Sequence, residues 1–310
     1  MKPSKRRVEP NILNHCYQRT VDRVLIFYCI SDYLVFFTTL CVTARQHKIR
    51  ILAASLMPDH IHLSVVEERK GELSAFVREY TSRFSRMHNR TCHFQGNFFE
   101  SPFGSVLKRG DKNVRSNLIY VGNNAPERRL CKNAEEYRWN FLAYAINAHP
   151  FSDELIVRRA SPTLRRARLS VLAMFRKERP IPYRMLQNWF SRLSREEKEQ
   201  LTDFIINTYN VIDYASAISF FKSYGNMLLA MHSTTGSEYE IKEYFNGRSD
   251  AHYAMMASYL LKHFHLNDIH DILALPIAEK SKIFVHLCNV TDALPNQIAA
   301  FLRIPLEYKR

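Results

Sequence analysis

A long amphipathic helix pattern in the first half of the chain constrains the fold most. Between Glu72 and Arg90, apolar residues recur at spacings of three and four, which places them in one stripe on a single helix face. The stripe consists of Leu73, Phe76, Val77, Tyr80, Phe84 and Met87. Such a stripe must be buried against another element, and the segments on both sides of this helix carry strand patterns. The sequence therefore predicts a helix that covers a sheet.

Strand and helix patterns alternate through the rest of the first half. In chain order they are a strand within residues 12–30, a helix over Asp32–His47 that Ser31 caps, a strand over Ile49–Met57, a turn at Pro58-Asp59, a strand over His60–Val66, the helix already described, a strand over Phe98–Leu107 and a helix over Asn113–Asn124. This βαββαβα order predicts an α+β domain whose antiparallel sheet is covered by helices.

The pattern becomes helical from about residue 155. A basic stretch between Arg158 and Arg179 comes first, and it is either a linker that contacts nucleic acid or an exposed helix face. Capping boxes at Ser194–Glu197 and Ser237–Glu240 then mark helix starts. We predict two domains: an α+β domain over residues 1–155 and an all-α domain over 156–310. The last two helices, Ala278–Cys288 and Pro295–Arg303, are compatible with a helix-turn-helix-like unit, and a small helical bundle is the alternative.

The charge is concentrated in the first two thirds of the chain. Residues 1–200 contain 35 Lys and Arg against 19 Asp and Glu, a net charge of +16, whereas residues 201–310 carry −2. A localised basic surplus favours a partner that carries phosphate groups, and a solvated charged surface is the alternative.

The cysteines and the apolar segments indicate the compartment. The six cysteines form no Cys-x-x-Cys pair, which is typical of buried thiols in a reducing environment. The apolar run Val24–Ala44 is interrupted by Ser31-Asp32, and an aspartate at the centre of a bilayer costs about 3 kcal/mol. The basic N-terminus is not followed directly by an apolar segment of the signal-peptide type. We therefore expect a cytoplasmic protein without a membrane partner.

Two histidines on one strand are the clearest candidates for chemistry. Side chains alternate along a strand, so His60, His62 and Ser64 share one face while the apolar residues between them face the core. Two imidazoles at this spacing can chelate one metal ion, although an incidental pair is the commoner explanation. A second pair, His263 and His265, follows a helix pattern, where positions i and i+2 do not share a face.

A tyrosine and an asparagine on a later helix form a second candidate. Tyr120 and Asn124 are four residues apart and therefore lie on one helix face. The amide oxygen of Asn124 suits a hard cation, and the phenol of Tyr120 is a potential nucleophile. We expect the chain to leave the helix near Gly122–Pro126, so that Asn124 lies in its last turn. Taken alone, a tyrosine in an apolar-flanked helix is more often a core residue.

These features together resemble the HUH single-tyrosine transposases, and more narrowly the REP-associated tyrosine transposases. The resemblance extends from about Asn14 to Tyr144. The segments that carry it are Tyr17–Thr20, Met57–Leu63, Phe94–Ser101, Tyr120–Asn124 and Glu136–Trp139. The family often has a proline directly after the asparagine, whereas this chain has Ala125 and then Pro126.

The resemblance implies a fold and a reaction. The fold is a ferredoxin-like antiparallel sheet with covering helices, followed here by the all-α C-terminal domain. The reaction is metal-dependent cleavage and rejoining of single-stranded DNA at hairpin-bearing ends, with Tyr120 as the nucleophile of a 5′-phosphotyrosine intermediate. His60, His62 and Asn124 would hold a divalent cation, Mg²⁺ or Mn²⁺.

The expected partner is therefore single-stranded or hairpin DNA in the bacterial cytoplasm or nucleoid, bound by a monomer or a homodimer. The basic residues expected to hold the DNA backbone are Arg83, Arg86, Lys108, Arg109, Lys112 and Arg115. Two other functions remain open from the sequence. One is a domesticated, non-catalytic DNA-binding regulator, and the other is a metal-dependent hydrolase built on the same histidines.

Overall fold

The computed structural model describes residues 8–92, 94, 96–234, 249–264, 266 and 268–305. Its strands and helices, in chain order, are β1 (Leu13–Arg19), α1 (Ile30–Gln46), β2 (Arg50–Leu56), β3 (His60–Val66), α2 (Glu72–Thr91), β4 (Gly104–Lys108), α3 (Asp111–Glu127), α4 (Pro162–Arg176), α5 (Tyr183–Phe190), α6 (Arg195–Tyr209), α7 (Tyr214–Ser219), α8 (Tyr224–Ser233), α9 (Ala251–His263), α10 (Asp271–Ala274), α11 (Ile277–Val290) and α12 (Pro295–Leu302).

The four strands form one sheet in the order β2-β3-β1-β4, and every neighbouring pair is antiparallel. This order, with helices between β1 and β2 and between β3 and β4, is the ferredoxin-like arrangement. Helices α1 and α2 cover one face of the sheet, and α3 packs against β2 and β3. The α+β fold predicted from the sequence, with helices following the sheet, is confirmed.

The main hydrophobic cluster lies between the sheet and α1 and α2. The predicted stripe of α2 is buried there, except for Met87, which is half-buried at its edge. The same cluster contains Leu164, Leu186 and Ile205 from α4, α5 and α6. Apolar side chains from both sides of residue 155 therefore share one core, while the predicted domain boundaries stay a prediction.

Two further clusters join later helices to the sheet region. In one, Met227 and Met231 of α8 pack with Leu118 of α3 and with Leu13 and Leu52 of the sheet. In the other, α9 to α12 surround a core of their own that also contains Leu25 and Tyr28 from the segment before α1. The helices of the second half are thus packed directly on the elements of the first half.

The segment between β1 and α1 differs from the prediction. β1 ends at Arg19, so the predicted strand over residues 12–30 is wrong beyond that point. Ile26 and Phe27 are buried, and their N–H groups donate to the carbonyl of Pro58 instead of to a neighbouring strand. The apolar residues of this segment are buried under other elements, and a buried apolar segment of this length looks like a strand in the sequence.

The start of α1 also differs from the prediction, because the helix begins at Ile30 and its N-cap is Cys29, not Ser31. Asp32 causes the shift: its carboxylate accepts hydrogen bonds from the N–H groups of Tyr28 at 2.7 Å and Cys29 at 3.1 Å. These bonds satisfy donors at the helix N-terminus that have no partner within the helix.

The fourth strand and the following helix are displaced as well. β4 covers Gly104–Lys108 only, and Phe99 makes an isolated bridge to Thr20, so the predicted strand over Phe98–Leu107 is too long at its start. α3 covers Asp111–Glu127, so the predicted helix over Asn113–Asn124 is slightly too short at both ends, and Asn124 lies in the last turn as expected. Pro126 cannot donate to the carbonyl of Gly122, and the Asn140 side chain donates to that carbonyl instead, at 3.4 Å.

Several features of the second half follow the predictions. Ser194 caps α6 and Glu197 completes the box, and α11 and α12 cover the two predicted C-terminal helices. The box at Ser237–Glu240, His265 and residues 306–310 lie outside the described residues. Among the helices that are described, none has the length and apolar content needed to cross a bilayer.

Candidate active site

The two predicted histidines of β3 lie between the sheet and α3. All seven residues of the strand are buried. The face opposite the histidines, with Ile61, Leu63 and Val65, packs in the main hydrophobic cluster. On the histidine face, Ser64 Oγ donates to Asn117 Oδ1 of α3 at 2.7 Å. This bond fixes α3 across the strand that carries the histidines.

Each histidine is held at its Nδ1 atom. His60 Nδ1 donates to Asp59 Oδ1 at 2.6 Å, and His62 Nδ1 lies 2.9 Å from His15 Nε2 of β1. A carboxylate at Nδ1 keeps the proton on that nitrogen and leaves the lone pair on Nε2. The ring centroids of His60 and His62 are 4.9 Å apart, so two imidazoles can contribute to one site.

Tyr120 lies against the same pair of strands. Its ring centroid is 5.3 Å from that of His62 and 5.4 Å from that of His15, with edge-on geometry in both cases. Tyr120 is only 4 % exposed. The structure therefore brings together the three side chains that were expected to carry the chemistry, with His15 beside them.

Burial controls the charge of His62. Its pKa is held well below the usual value for histidine, first because the ring is buried and second because His60, His15, Arg19 and Arg128 place positive charge nearby. His62 is therefore neutral at neutral pH, and neutral imidazole is the form that coordinates a cation.

Asn124 follows Tyr120 by one helical turn and is also buried. Its Nδ2 donates to the Tyr120 carbonyl at 2.9 Å, within the same helix. This part of α3 is supported from the second half of the chain, since Asn123 Nδ2 donates to the Met231 carbonyl of α8 at 2.8 Å. A Cβ atom added at Gly122 would lie 2.7 Å from Met231 Cε, so glycine permits this close approach.

Sequence reasoning missed His15, Asp59 and Arg19. β1 and β3 pair so that His15 lies opposite Ser64, Tyr17 opposite His62 and Arg19 opposite His60. The available signal was the alternation within β1, which puts these residues on one face. Which face meets β3, and in which register, depends on pairing across 40 or more residues and is not visible in either strand alone.

Comparison with known proteins adds a family to this geometry. Residues 15–121 match the family model described as transposase IS200 like. The resemblance to tyrosine transposases predicted from the sequence is thereby confirmed for this range, which we call the transposase-like segment. It contains His60, His62 and Tyr120 and ends before Asn124.

A solved structure described as a REP-associated tyrosine transposase bound to a REP hairpin is similar at 16 % sequence identity. The similarity covers 47 % of this chain and 86 % of that chain, with a TM-score of 0.42. No curated protein matches the sequence.

The six basic residues expected to hold DNA lie in different places of the transposase-like segment. Arg83 and Arg86 are on the outer face of α2, on the other side of the sheet from Tyr120, and Arg83 pairs with Glu79. Lys108 is buried at the end of β4. The remaining three, Arg109, Lys112 and Arg115, surround the start of α3, and Arg109 pairs with Glu9. The structure therefore does not bring the six together at one site.

A second polar cluster lies at the start of α1. A thiol of Cys29, a carboxylate oxygen of Asp32 and a ring nitrogen of His270 are within 4.8 Å of one another, a composition that suits a metal ion. However, burial and the nearby Asp32 raise the pKa of Cys29 to about 12, so its thiol stays protonated at neutral pH. The Tyr183 hydroxyl also donates to Asp32 Oδ1, at 2.6 Å.

The charge state of His270 explains this cluster without a metal ion. Its Nε2 is 3.0 Å from Asp32 and its Nδ1 is 2.7 Å from Asp268. Burial alone would lower the pKa of His270, but the two carboxylates outweigh it and raise the pKa far above the usual range. For the carboxyl group of Asp32 the effects are reversed. Burial alone would raise its pKa, but the nearby His270 and His88 outweigh burial and hold the pKa well below the usual range. The cluster is therefore a buried imidazolium–carboxylate pair.

Proposed function

We propose that this protein is a metal-dependent transesterase of single-stranded DNA that cleaves and rejoins hairpin-bearing ends through a 5′-phosphotyrosine at Tyr120. The observation that carries the proposal is the convergence of Tyr120 with His62, at 5.3 Å between ring centroids, within a segment that matches transposases. Hairpin-bearing ends are chosen for the first test because the resemblance to REP-associated tyrosine transposases implies them.

Each residue has a defined task in this reaction. The Tyr120 oxygen attacks the phosphorus in line, the bond from phosphorus to the 3′ oxygen breaks, and the phenolic proton is lost while the 3′ oxygen gains one. A phenol with a pKa of about 10 is a weak nucleophile, so Tyr120 must be positioned and the phosphate charge neutralised. Because the phosphotyrosine bond is similar in energy to the phosphodiester it replaces, a DNA 3′-OH can reverse the step without ATP.

The donor set fits a divalent cation. His60 and His62 offer ring nitrogens as donors, each held in orientation from Nδ1 by Asp59 or His15, and Asn124 adds an amide oxygen one turn from Tyr120. When bound there, Mn²⁺ or Mg²⁺ supplies positive charge to the non-bridging oxygens of the scissile phosphate. Two imidazoles by themselves would suit zinc or another transition metal, so the choice of Mg²⁺ or Mn²⁺ rests on the resemblance to tyrosine transposases and not on the ligands.

Access to the tyrosine is part of the proposal. With 4 % of Tyr120 exposed, DNA reaches its oxygen only after neighbouring residues move apart. The same burial favours a second candidate function, a DNA-binding regulator that retains the transposase-like segment without cleaving. The two candidates differ in whether a covalent adduct forms.

The decisive experiment is an adduct assay. Purified protein is incubated with Mn²⁺ and a 3′-labelled hairpin oligonucleotide carrying a single-stranded flank, so that the labelled fragment is the one joined to Tyr120, and covalent complexes are resolved on a denaturing gel. We expect an adduct with the wild type, none with Tyr120→Phe and none after chelation of the metal. Tyr17→Phe is the matched control, because Tyr17 lies on the same sheet face, 6.0 Å from His15 between ring centroids, and should still form the adduct.

Three outcomes would contradict the proposal. An adduct that persists in Tyr120→Phe reassigns the nucleophile. DNA binding by the wild type without any adduct, across a panel of hairpins, favours the regulator. Release of free 5′-phosphate without an adduct would instead identify a metal-dependent hydrolase.

A further inference from the structure

A cleft of about 640 Å³ lies between the outer face of α2 and the segment that connects α4 to α5. Its walls come from parts of the chain that are about 90 residues apart. Arg83, Arg86 and Arg90 line it from α2, and Arg179 and Arg184 line it from the opposite wall. The arginines of α2 are three, four and seven residues apart, so they share one face of the helix.

The cleft concentrates positive charge that the described residues neutralise only in part. Arg83 pairs with Glu79. Within the described part of the chain, the other four arginines of the cleft form no ion pair. Glu178 is the one carboxylate among the described lining residues. Like charges at helical spacing are destabilising, and a low-dielectric cleft lined by one sign of charge attracts ions of the other sign.

The second wall is firmly attached to the core, so the arrangement exists before any ligand binds. The Ile181 N–H donates to Thr38 Oγ1 at 3.1 Å, and the Tyr183 hydroxyl donates to the buried Asp32. The Tyr209 hydroxyl donates to the Arg179 carbonyl at 2.7 Å. Because this wall is already ordered in the folded protein, ligand binding does not have to supply the free energy of ordering it.

We infer that this cleft binds the phosphate backbone of single-stranded nucleic acid. Guanidinium groups on two facing walls match the repeating phosphates of one strand, because each can donate two parallel hydrogen bonds to a phosphate. The half-buried Met87 and the prolines at 180 and 182 add apolar surface that an unpaired base can contact. A duplex buries its bases and would not use this surface.

The inference goes beyond the proposed cleavage and does not depend on Tyr120. The cleft lies on the α2 side of the sheet, whereas Tyr120 lies on the α3 side. A strand held here is therefore not at the scissile phosphate. The cleft would hold a distant part of the same DNA, and residues downstream of the transposase-like segment supply two of its five arginines.

The test measures binding of fluorescein-labelled oligothymidylate by anisotropy over a series of salt concentrations, in the full-length Tyr120→Phe background. We expect Arg86→Gln/Arg90→Gln and Arg179→Gln/Arg184→Gln each to weaken binding by roughly tenfold or more. The slope of log affinity against log salt should fall by about 1.4 in each variant, since single strands lose ~0.7 per phosphate contact.

The matched control is Arg192→Gln/Arg195→Gln, which removes the same charge from exposed arginines outside the cleft lining and should leave affinity and slope near those of the parent. Equal loss in the control, or unchanged binding in both cleft variants with an unchanged melting temperature, would overturn the inference. The inference would also be overturned if polyglutamate displaced the labelled strand as effectively as unlabelled oligothymidylate of equal charge. If the cleft variants lose binding while the wild type never forms an adduct, only the cleavage proposal fails.

Discussion

His15 Nε2 lies 2.9 Å from His62 Nδ1, so a side chain of β1 orients a ring on β3. The contact crosses the antiparallel β1–β3 pair, in which His15 stands opposite Ser64 and Tyr17 opposite His62. A hydrogen bond at one ring nitrogen fixes the tautomer and the direction of the other nitrogen. His15 is thus a positioning residue. Its removal should weaken metal binding less than the removal of a residue that binds the metal directly.

We expect His15→Ala to weaken Mn²⁺ binding by about 10–100-fold without abolishing it, because the ring of His62 loses its partner but stays in place. Calorimetric titration of the purified variant with Mn²⁺ measures this directly. Asp59→Asn, which weakens the equivalent hold on His60, should give a loss of similar size. Wild-type affinity in both variants would show that neither contact orients a ligand.

Removing a ligand should have a larger effect than removing its support. We expect His60→Ala and His62→Ala each to lower adduct formation by at least about a hundredfold and to abolish its dependence on added Mn²⁺, because a catalytic cation contributes several kcal/mol. Tyr17→Phe is again the control, since Tyr17 stands opposite His62 in the sheet and is not one of the proposed ligands. Undiminished cleavage in both histidine variants would exclude this metal site.

The contact between Gly122 and Met231 should show as energetic coupling between α3 and α8. A larger side chain at residue 122 must displace the Met231 side chain, whose Cε and Sδ lie 2.7 Å and 2.9 Å from the added Cβ. We expect Gly122→Val to lower the free energy of unfolding by about 1–3 kcal/mol. Met231→Ala should relieve part of that loss, and a double-mutant cycle by urea denaturation measures the coupling. Strict additivity would mean that the two residues do not meet.

The buried pair of Asp32 and His270 should make stability depend on pH. We expect Asp32→Asn to lower the free energy of unfolding by about 3–5 kcal/mol, because it leaves a buried imidazolium with one carboxylate fewer. The lowered pKa of Asp32 makes its contribution present above about pH 4 and lost as pH falls below that. The raised pKa of His270 makes its contribution complete below about pH 6.5, and it declines as pH rises above that value.

The difference in unfolding free energy between wild type and Asp32→Asn should therefore be widest between about pH 4 and pH 6.5. Urea denaturation over a range of pH values measures it. His47→Gln is a suitable comparison, since His47 is partly exposed and its partner Glu79 lies on the surface. A difference that grows steadily towards alkaline pH would contradict the assigned charge states.

Local patterns were sufficient for the elements whose burial depends on one face. β3 has the predicted bounds, and α2 differs by one residue at its end. The start of α1 could not be predicted, because the capping carboxylate of Asp32 is itself held by Tyr183 and His270, which lie 151 and 238 residues further on. The predicted helix over Asn113–Asn124 is two residues short at its start and three at its end compared with α3, and Gly122 within it permits packing against α8.

The candidate site was predictable only in part. The shared face of His60 and His62 follows from strand alternation alone. Placing Tyr120 beside them required a known family pattern, because nothing in two short segments about 60 residues apart indicates that they meet. His15 entered the site through strand register, and the arginine cleft entered through the packing of α5 on α1; both are properties of tertiary structure.

The packing of α8 on α3 also bears on how short a working version of this protein can be. Asn123 and Gly122 stand next to Tyr120, and both contact a helix that begins about 100 residues downstream of it. A truncated chain that kept the whole transposase-like segment but stopped before Tyr224 would leave the back of α3 open to water. The packing of the helix that carries Tyr120 therefore depends on residues well beyond the transposase-like segment.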